Sequence, residues 1–226
     1  MAARARYYFY YFDGRGRGEH CRHLLRLAGV KFEDVTFAQE GWLTLKDGMP
    51  LKQVPVLEVD GVKIGQSLAI ARFIGHEFGQ IVLFPVTVNR ISGFAGKNNV
   101  ENAQIDMIGD LIMDIYNAPL IKEWQHVLLG FIEANKDEYF RDSVMPAFDK
   151  QAPLVESIIK ENGHHLLFGD KVTWVDVVAA EFFSRFIDFG APDALEKYPH
   201  IGALVQKIHN LPAIKEHIKE RYPSLA

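Results

Sequence analysis

Residues 53–67 read QVPVLEVDGVKIGQS and carry the clearest fold signal in the 226-residue chain. Apolar residues predict a strand at 54–59 and a returning strand at 62–64, and Asp60-Gly61 between them is a hairpin turn signal. Ser67 is suited to cap a following helix, in which apolar residues recur at helical spacing. The stretch therefore predicts a β-β-α motif.

A second motif precedes this one. Residues 7–12, YYFYYF, are aromatic throughout, which is typical of a strand buried on both faces. Residues 13–16 break the strand, and a helical pattern that runs from Glu19 to Gly29 leads to a second strand at 31–37. A right-handed crossover makes these strands parallel, and the hairpin adds antiparallel strands on the other side. The order β-α-β, then β-β-α, predicts a thioredoxin-like α/β domain.

Strand signals stop at about residue 98, where long amphipathic patterns begin. Thr173 and Asp176 match a capping box, in which the hydroxyl and the carboxylate each satisfy a backbone N–H. Val172 and Val177 can form the hydrophobic staple that accompanies it. We expect an all-helical second domain.

Cysteine usage and charge argue against several classes of protein. The single cysteine, Cys21, rules out an internal disulfide framework and a cysteine-rich metal site, and the net charge of −4 gives no support to nucleic-acid binding. The N-terminal apolar run is too short and too aromatic for a signal peptide. No stretch reaches the roughly 20 apolar residues of a membrane span. We therefore expect a cytoplasmic protein.

The thioredoxin-like layout first suggests dithiol chemistry, which needs a reactive cysteine at the N-terminus of the first helix. Residues 13–18 contain no cysteine, and Cys21 shares an apolar stripe with Leu24 and Leu25. Dithiol chemistry is therefore excluded.

The end of the first strand instead carries Tyr11, followed by a turn rich in glycine and arginine. A phenol at this place can donate a hydrogen bond to a bound thiolate and so lower the pKa of the thiol. Arg17 adds positive charge, and the glycines relieve crowding in the turn. Tyrosines also stand at positions 7, 8 and 10, and packing is the alternative role for each, so this pattern alone does not single out Tyr11.

The segment Gln53-Val54-Pro55 is suited to a cis peptide bond, which would turn the Val54 backbone outward to pair with a peptide-like ligand. A trans proline at a strand edge is the alternative. Gln66 and Ser67 at a helix N-terminus can bind a carboxylate, although Ser67 can also serve as a cap alone. Two further candidates for holding a carboxylate are Trp42 and Lys46, the latter also explicable as a solvated charge.

Taken in order, these segments resemble the glutathione transferase family, in particular its sigma class and worm-type relatives. The matching motifs lie at residues 11–17, 28–34, 53–61, 66–72, 103–108 and 169–176, and they extend over nearly the whole chain. The resemblance implies a glutathione transferase fold with glutathione as co-substrate, and it identifies Tyr11 as the catalytic tyrosine. It also implies glutathione-binding roles for Tyr11 itself and for Arg17, Trp42, Lys46, Lys52, Gln53, Val54, Gln66, Ser67 and Asp110.

The family is dimeric, so the resemblance implies a homodimer in which Asp110 reaches across the interface to the γ-glutamyl amine. It places the second substrate, a small apolar electrophile, near Phe12, Arg15 and the helix that carries Tyr116. Some vertebrate sigma members carry an acidic metal cluster in this helix. Here Met113 stands where a third acid would accompany Asp110 and Asp114, so we predict no metal site.

The chain departs from the family between its two domains. We predict a glutathione-binding domain at residues 1–80, a linker with an apolar insertion at 81–97 and a helical domain at 98–226. The insertion, Gln80–Gly93, can pack beside the dimer interface or disturb it.

The resemblance leaves several functions open. Conjugation of glutathione to electrophiles, as in detoxification, is the leading hypothesis. Isomerisation of prostaglandin H to prostaglandin D and reduction of lipid peroxides are alternatives known in sigma relatives. Carriage of haem or other apolar ligands and a crystallin-like role are the non-enzymatic alternatives.

Overall fold

The computed structural model describes residues 6–78 and 93–222. Contacts between Cα atoms group the described residues into two units, one of residues 6–78, 93–95 and 211–222 and one of residues 96–210. The last helix therefore belongs to the first unit, whereas we predicted it within the helical domain. The predicted insertion, Gln80–Gly93, lies outside the described residues except for its last glycine.

The first unit is built on a four-stranded sheet in the order β2-β1-β3-β4. The strands are β1 Tyr7–Phe12, β2 Phe32–Phe37, β3 Val56–Val59 and β4 Val62–Gly65. β1 is parallel to β2 and antiparallel to β3, and β3 pairs with β4 as the hairpin signal predicts. The thioredoxin-like topology is confirmed. The expectation of complete burial is wrong for most of β1, because Phe9 is buried while the other five residues are only half-buried.

Eleven α-helices are described in residues 6–78 and 93–222. They are α1 Glu19–Leu27, α2 Gln39–Leu45, α3 Ser67–Glu77, α4 Asn99–Asn117, α5 Pro119–Leu128, α6 Lys136–Tyr139, α7 Met145–Phe148, α8 Ala152–Asn162, α9 Trp174–Arg185, α10 Pro199–His209 and α11 Pro212–Arg221. None of these helices has the length and apolar character needed to cross a membrane. α1, α2, α3 and α11 belong to the first unit, and α4 to α10 form the second.

Ser67 is the first residue of α3, and Gln66 occupies the capping position. The predicted capping role of Ser67 is therefore wrong by one residue. Gln66 adopts a left-handed backbone conformation, with φ of 69°, and its side chain makes no capping hydrogen bond.

The second unit is organised around α9, in which all residues are buried. α9 packs against α4 and α10. A β-carbon at Gly109 of α4 would overlap the ring of Trp174, so glycine permits the close approach of α4 and α9. No strand is found in residues 93–222, which confirms the predicted all-helical character of this part of the chain.

The predicted capping box is present at the N-terminus of α9. The buried Asp176 carboxylate accepts hydrogen bonds of 2.7 Å from the Thr173 N–H, the Thr173 hydroxyl and the Leu167 N–H. Burial raises the pKa of Asp176 to about 6, although these three hydrogen bonds act in the opposite direction. The carboxylate thus ties the loop before α9 to its first turn.

Asp176→Asn is expected to lower the free energy of unfolding by about 1–3 kcal/mol, because an amide nitrogen cannot accept the hydrogen bonds that one carboxylate oxygen receives. Urea unfolding followed by circular dichroism measures the effect. Asp170→Asn, at an exposed position near the same loop, is the control. Equal stability of the two variants would contradict the structural role given to Asp176.

Candidate active site

Tyr11 lies where β1 extends beyond its pairing with β3. The register pairs Tyr10 with Val56 of β3, and Val56 in turn with Gly65 of β4. Tyr11, residues 54–55 and Gln66 therefore all lie at the same end of the sheet. The resemblance assigned glutathione-binding residues to these three segments, and the topology brings them together.

The Tyr11 side chain packs against the turn that follows β1. Its hydroxyl oxygen accepts a hydrogen bond of 2.8 Å from the backbone N–H of Arg17. β-Carbons at Gly16 and Gly18 would overlap the Tyr11 hydroxyl and ring, and Gly16 has a φ of +34°. These glycines are needed because the turn closes directly onto the phenol.

Arg22 of α1 holds this turn, which we call the Tyr11 turn and define as residues 13–18. Its guanidinium donates to the carbonyl oxygens of Gly14 at 3.0 Å and Phe12 at 3.1 Å. Glu19 and Asp34 supply the compensating carboxylates, at 2.9 Å and 2.8 Å. The Arg22 side chain is completely buried, so its charge requires these partners.

The roles of Glu19 and Arg22 were not foreseen from the sequence. Both residues lie on α1, where we predicted only an apolar buried stripe. That stripe is present, and Cys21 is buried with its Sγ 3.6 Å from the Ser67 carbonyl oxygen. The spacing of Glu19 and Arg22, three residues apart on one helix, was the signal available for an ion pair.

Trp42 is largely a core residue. Its ring stacks on Phe37 at a centroid distance of 6.0 Å and meets Phe12 edge-on at 6.1 Å. This cluster fixes α2 against the end of β1. The predicted glutathione contacts at Lys46 and Lys52 lie nearby in sequence and are exposed, and Lys52 pairs with Asp47 at 3.0 Å.

The N-terminus of α3 has the features expected of an anion site. Ser67 is buried at 5% exposure, and α3 begins without a side-chain cap, so its first N–H groups lack that partner. Gln66 Nε2 lies 3.4 Å from Gln53 Oε1, which brings two predicted binding residues together. The Val54–Pro55 peptide bond is cis, as the sequence suggested.

Two of the three predicted substrate contacts are engaged elsewhere. Arg15 is buried, and its guanidinium stacks 4.2 Å from the centre of the Tyr222 ring. Tyr116 is buried in the second unit, where its hydroxyl donates to Gln125 at 3.0 Å and accepts from Arg185 at 2.9 Å. Phe12 remains half-buried beside Tyr11. The structure thus gives Arg15 and Tyr116 structural partners that sequence reasoning did not foresee.

The structure groups potential metal ligands at a different place from the acidic residues of α4 that were considered from the sequence. Asp110 and Asp114 are exposed on α4. Among the described residues, the donor atoms of the buried Glu19, His23 and His217 lie within 4.8 Å of one another. The Arg22 cation contacts the same Glu19 carboxylate, which opposes the binding of a second cation there. The cluster is therefore better described as an ion-pair network.

Comparison with known proteins gives consistent matches along the chain. The family described as "Glutathione S-transferase, N-terminal domain" matches residues 8–76, and "Glutathione S-transferase, C-terminal domain" matches residues 122–221. The chain is 49% identical to a probable glutathione S-transferase, gst-36, of Caenorhabditis elegans, with 94% of this chain and 95% of that protein covered. It is 36% identical to glutathione S-transferase 1 of Ascaris suum, with 93% and 94% covered.

Solved structures agree in fold. Monomeric Na-GST-3 of the hookworm Necator americanus is 35% identical, with a TM-score of 0.83 over 96% of this chain and 97% of that one. A Nu-class transferase of Haemonchus contortus is 33% identical, with a TM-score of 0.80 over 99% and 100%. Prostaglandin synthase D of Nilaparvata lugens is 32% identical, with a TM-score of 0.76 over 96% and 98%.

Gly18→Ala is expected to lower the rate of glutathione conjugation by about tenfold or more, because the new methyl group displaces the Tyr11 ring from its hydrogen bond with Arg17. The rate is measured with a chromogenic electrophile. Gly14→Ala is the matched control, since no atom lies within 4 Å of a β-carbon built at that position. Equal rates for the two variants would show that the ring does not depend on this glycine.

Proposed function

The chain belongs to the glutathione S-transferase family, and we propose that Tyr11 activates the glutathione thiol for attack on an apolar electrophile. The observation that carries this assignment is the hydrogen bond from the Arg17 N–H to the Tyr11 oxygen. A donor to the phenol oxygen polarises the O–H and makes it a stronger hydrogen-bond donor in turn. A thiolate next to that hydroxyl would be stabilised relative to the thiol.

The proposed reaction is a nucleophilic substitution or addition. The thiol proton leaves to solvent, the sulfur lone pair forms a bond to the electrophilic carbon, and a leaving group or the electrophile's own acceptor atom takes the electron pair. Tyr11 forms no covalent bond in this sequence. It shifts the thiol towards its ionised form, and each unit by which the pKa falls corresponds to about 1.4 kcal/mol.

Glutathione would be held by the same end of the sheet. The Val54 backbone would pair with its peptide groups, and the uncapped α3 N-terminus at Gln66 and Ser67 would bind one carboxylate. Trp42 and Lys46 would hold the second carboxylate. We propose that the remaining contacts to glutathione are made by Arg17, Lys52, Gln53 and Asp110.

We favour the sigma class because the motifs at residues 11–17 and 53–61 resemble it, and because a structural relative is a prostaglandin synthase D. Another relative is of the Nu class, which is the alternative assignment. Prostaglandin isomerisation is the second candidate activity. Peroxide reduction and an apolar-ligand carrier or crystallin-like role are further alternatives.

We also propose that the chain acts in cytoplasmic detoxification as a homodimer. Asp110 is exposed on α4, as a residue that serves a partner's site would have to be in an isolated chain. A monomer is the alternative, because the hookworm relative Na-GST-3 is monomeric in its crystal structure.

Tyr11→Phe is expected to reduce conjugation by about 10- to 100-fold at mildly acidic pH, because one hydrogen-bond donor to the developing thiolate is lost. The rate with a chromogenic electrophile and the affinity for glutathione are measured together. Wild-type rates with glutathione still bound would refute the assignment of Tyr11.

Asp110→Asn is expected to raise the KM for glutathione by about three- to tenfold, the value of one charge-assisted hydrogen bond, without changing the thiol pKa. Asp114→Asn, which removes an exposed carboxylate one turn later on α4, is the control. Sedimentation of the wild-type chain gives its oligomeric state. A monomer with an unchanged KM in Asp110→Asn would contradict the dimer and the role of Asp110 together.

A further inference from the structure

The C-terminal helix α11 meets α1 through a buried polar contact. His217 Nε2 lies 2.6 Å from Glu19 Oε1, and both side chains are almost completely excluded from solvent. A carboxylate can only accept, so the imidazole N–H donates. Because these residues are separated by 198 positions in the sequence, the contact joins the two ends of the described chain.

Glu19 depends on its partners to stay ionised. Burial acts to raise the pKa of Glu19, but the hydrogen bond from His217 and the charges of His23, Arg22 and His217 outweigh it. The resulting pKa is well below the usual range of a glutamate. Removal of His217 would therefore leave a buried carboxylate without one of its donors.

The same carboxylate reaches the Tyr11 turn through Arg22. Glu19 Oε2 accepts from Arg22 Nη1 at 2.9 Å, and that nitrogen also donates to the Gly14 carbonyl oxygen at 3.0 Å. Within this turn, the Arg17 N–H contacts the Tyr11 hydroxyl. Short polar contacts thus run from α11 to Gly14, and the backbone of the turn connects Gly14 to Arg17 and so to Tyr11.

A second contact links the end of α11 to the same turn. The Tyr222 ring covers the Arg15 guanidinium at 4.2 Å, and the Tyr222 hydroxyl lies 3.1 Å from His23 Nε2. The Arg15 carbonyl oxygen accepts the N–H groups of Gly18 and Glu19, at 3.2 Å and 2.9 Å. Arg15 is therefore fixed both by its backbone and by its stacked side chain.

We propose that His217 is a positioning residue for catalysis: through Glu19 and Arg22 it holds the Tyr11 turn in the geometry that lets Tyr11 stabilise the glutathione thiolate. The inference rests on the proposed role of Tyr11. His217 does not touch glutathione in this account. Its effect is exerted on the distance between the Arg17 N–H and the Tyr11 oxygen.

This role predicts different effects on two quantities, the pKa of the bound thiol and the affinity for glutathione. A loosened turn weakens the hydrogen bond to the Tyr11 oxygen, so the thiol pKa rises and less thiolate is present at neutral pH. Apart from Arg17, the proposed contacts of glutathione lie at residues 42–46 and 52–67 and at Asp110, outside the turn, so most of the affinity for glutathione is retained. A merely stabilising role for His217 would change neither quantity in the folded enzyme.

The test compares His217→Ala with His217→Gln. The pKa of bound glutathione is measured from the ultraviolet absorbance of the thiolate as pH is varied, alongside kcat and KM. His217→Ala is expected to lower the thiolate fraction at neutral pH by about three- to tenfold, with the KM for glutathione changed by less than about twofold. His217→Gln is expected to keep most of the wild-type thiolate fraction, because its amide N–H can donate to Glu19. An unchanged thiol pKa in His217→Ala would overturn the proposal.

Ile214→Val is the matched control on α11. Ile214 is fully buried on the same helix, and loss of one methyl group weakens packing without removing a polar contact. Its thiol pKa is expected to equal that of the wild type. A shift as large as that of His217→Ala would mean that general loosening, not the Glu19 contact, is responsible, and the proposal would fail.

If His217→Ala does not fold, Tyr222→Leu replaces it as the test. This change removes the ring from Arg15 without leaving a buried carboxylate short of a donor. It is expected to raise the thiol pKa in the same direction by a smaller amount. No shift in this variant would overturn the coupling between α11 and the Tyr11 turn.

The double variant Tyr11→Phe/His217→Ala distinguishes a failure of the role proposed for His217 from a failure of the role proposed for Tyr11. If His217 acts through Tyr11, its removal adds nothing further in the Tyr11→Phe background. An additive effect would overturn the positioning role. If Tyr11→Phe alone leaves the thiol pKa unchanged, it is the proposed function that fails.

Discussion

Arg22 is a cation with no exposed side-chain surface, and a charge in that environment is stable only when it is paired and hydrogen-bonded. Its guanidinium binds two carboxylates and two carbonyl oxygens at the end of β1. These contacts hold the Tyr11 turn against α1, directly after the end of the strand. The orientation of Tyr11, the closeness of Gly16 and Gly18, and the contact with α11 all depend on it.

Local sequence signals were sufficient to predict the sheet and the capping box. The hairpin at Asp60-Gly61 and the box at Thr173 and Asp176 each arise from residues a few positions apart, so sequence patterns describe them directly. The capping role of Ser67 was misplaced because Gln66 takes a left-handed conformation, which sequence rules do not assign to glutamine. The burial of β1 was overstated, since an all-aromatic strand is compatible with half-buried faces.

For the candidate site, too, some features could be predicted from the sequence and others could not. Tyr11 was predicted from its motif, and the register of the sheet places Val54 and Gln66 at the same end of the sheet as Tyr11. The partner of Arg15 was not foreseen, because Tyr222 lies at the opposite end of the described chain. Periodicity and motif spacing report on neighbours in sequence, and a contact over such a separation leaves no trace in either.

The first unit is discontinuous in sequence, since α11 packs with residues that were synthesised about 200 positions earlier. A nascent chain emerging from the ribosome therefore presents Glu19 and Arg22 long before His217 exists. The sheet can form during translation, but the proposed support that His217 gives to the Tyr11 turn is added only once α11 has been made. The topology of the fold therefore separates in time the formation of the sheet from the proposed completion of the candidate site.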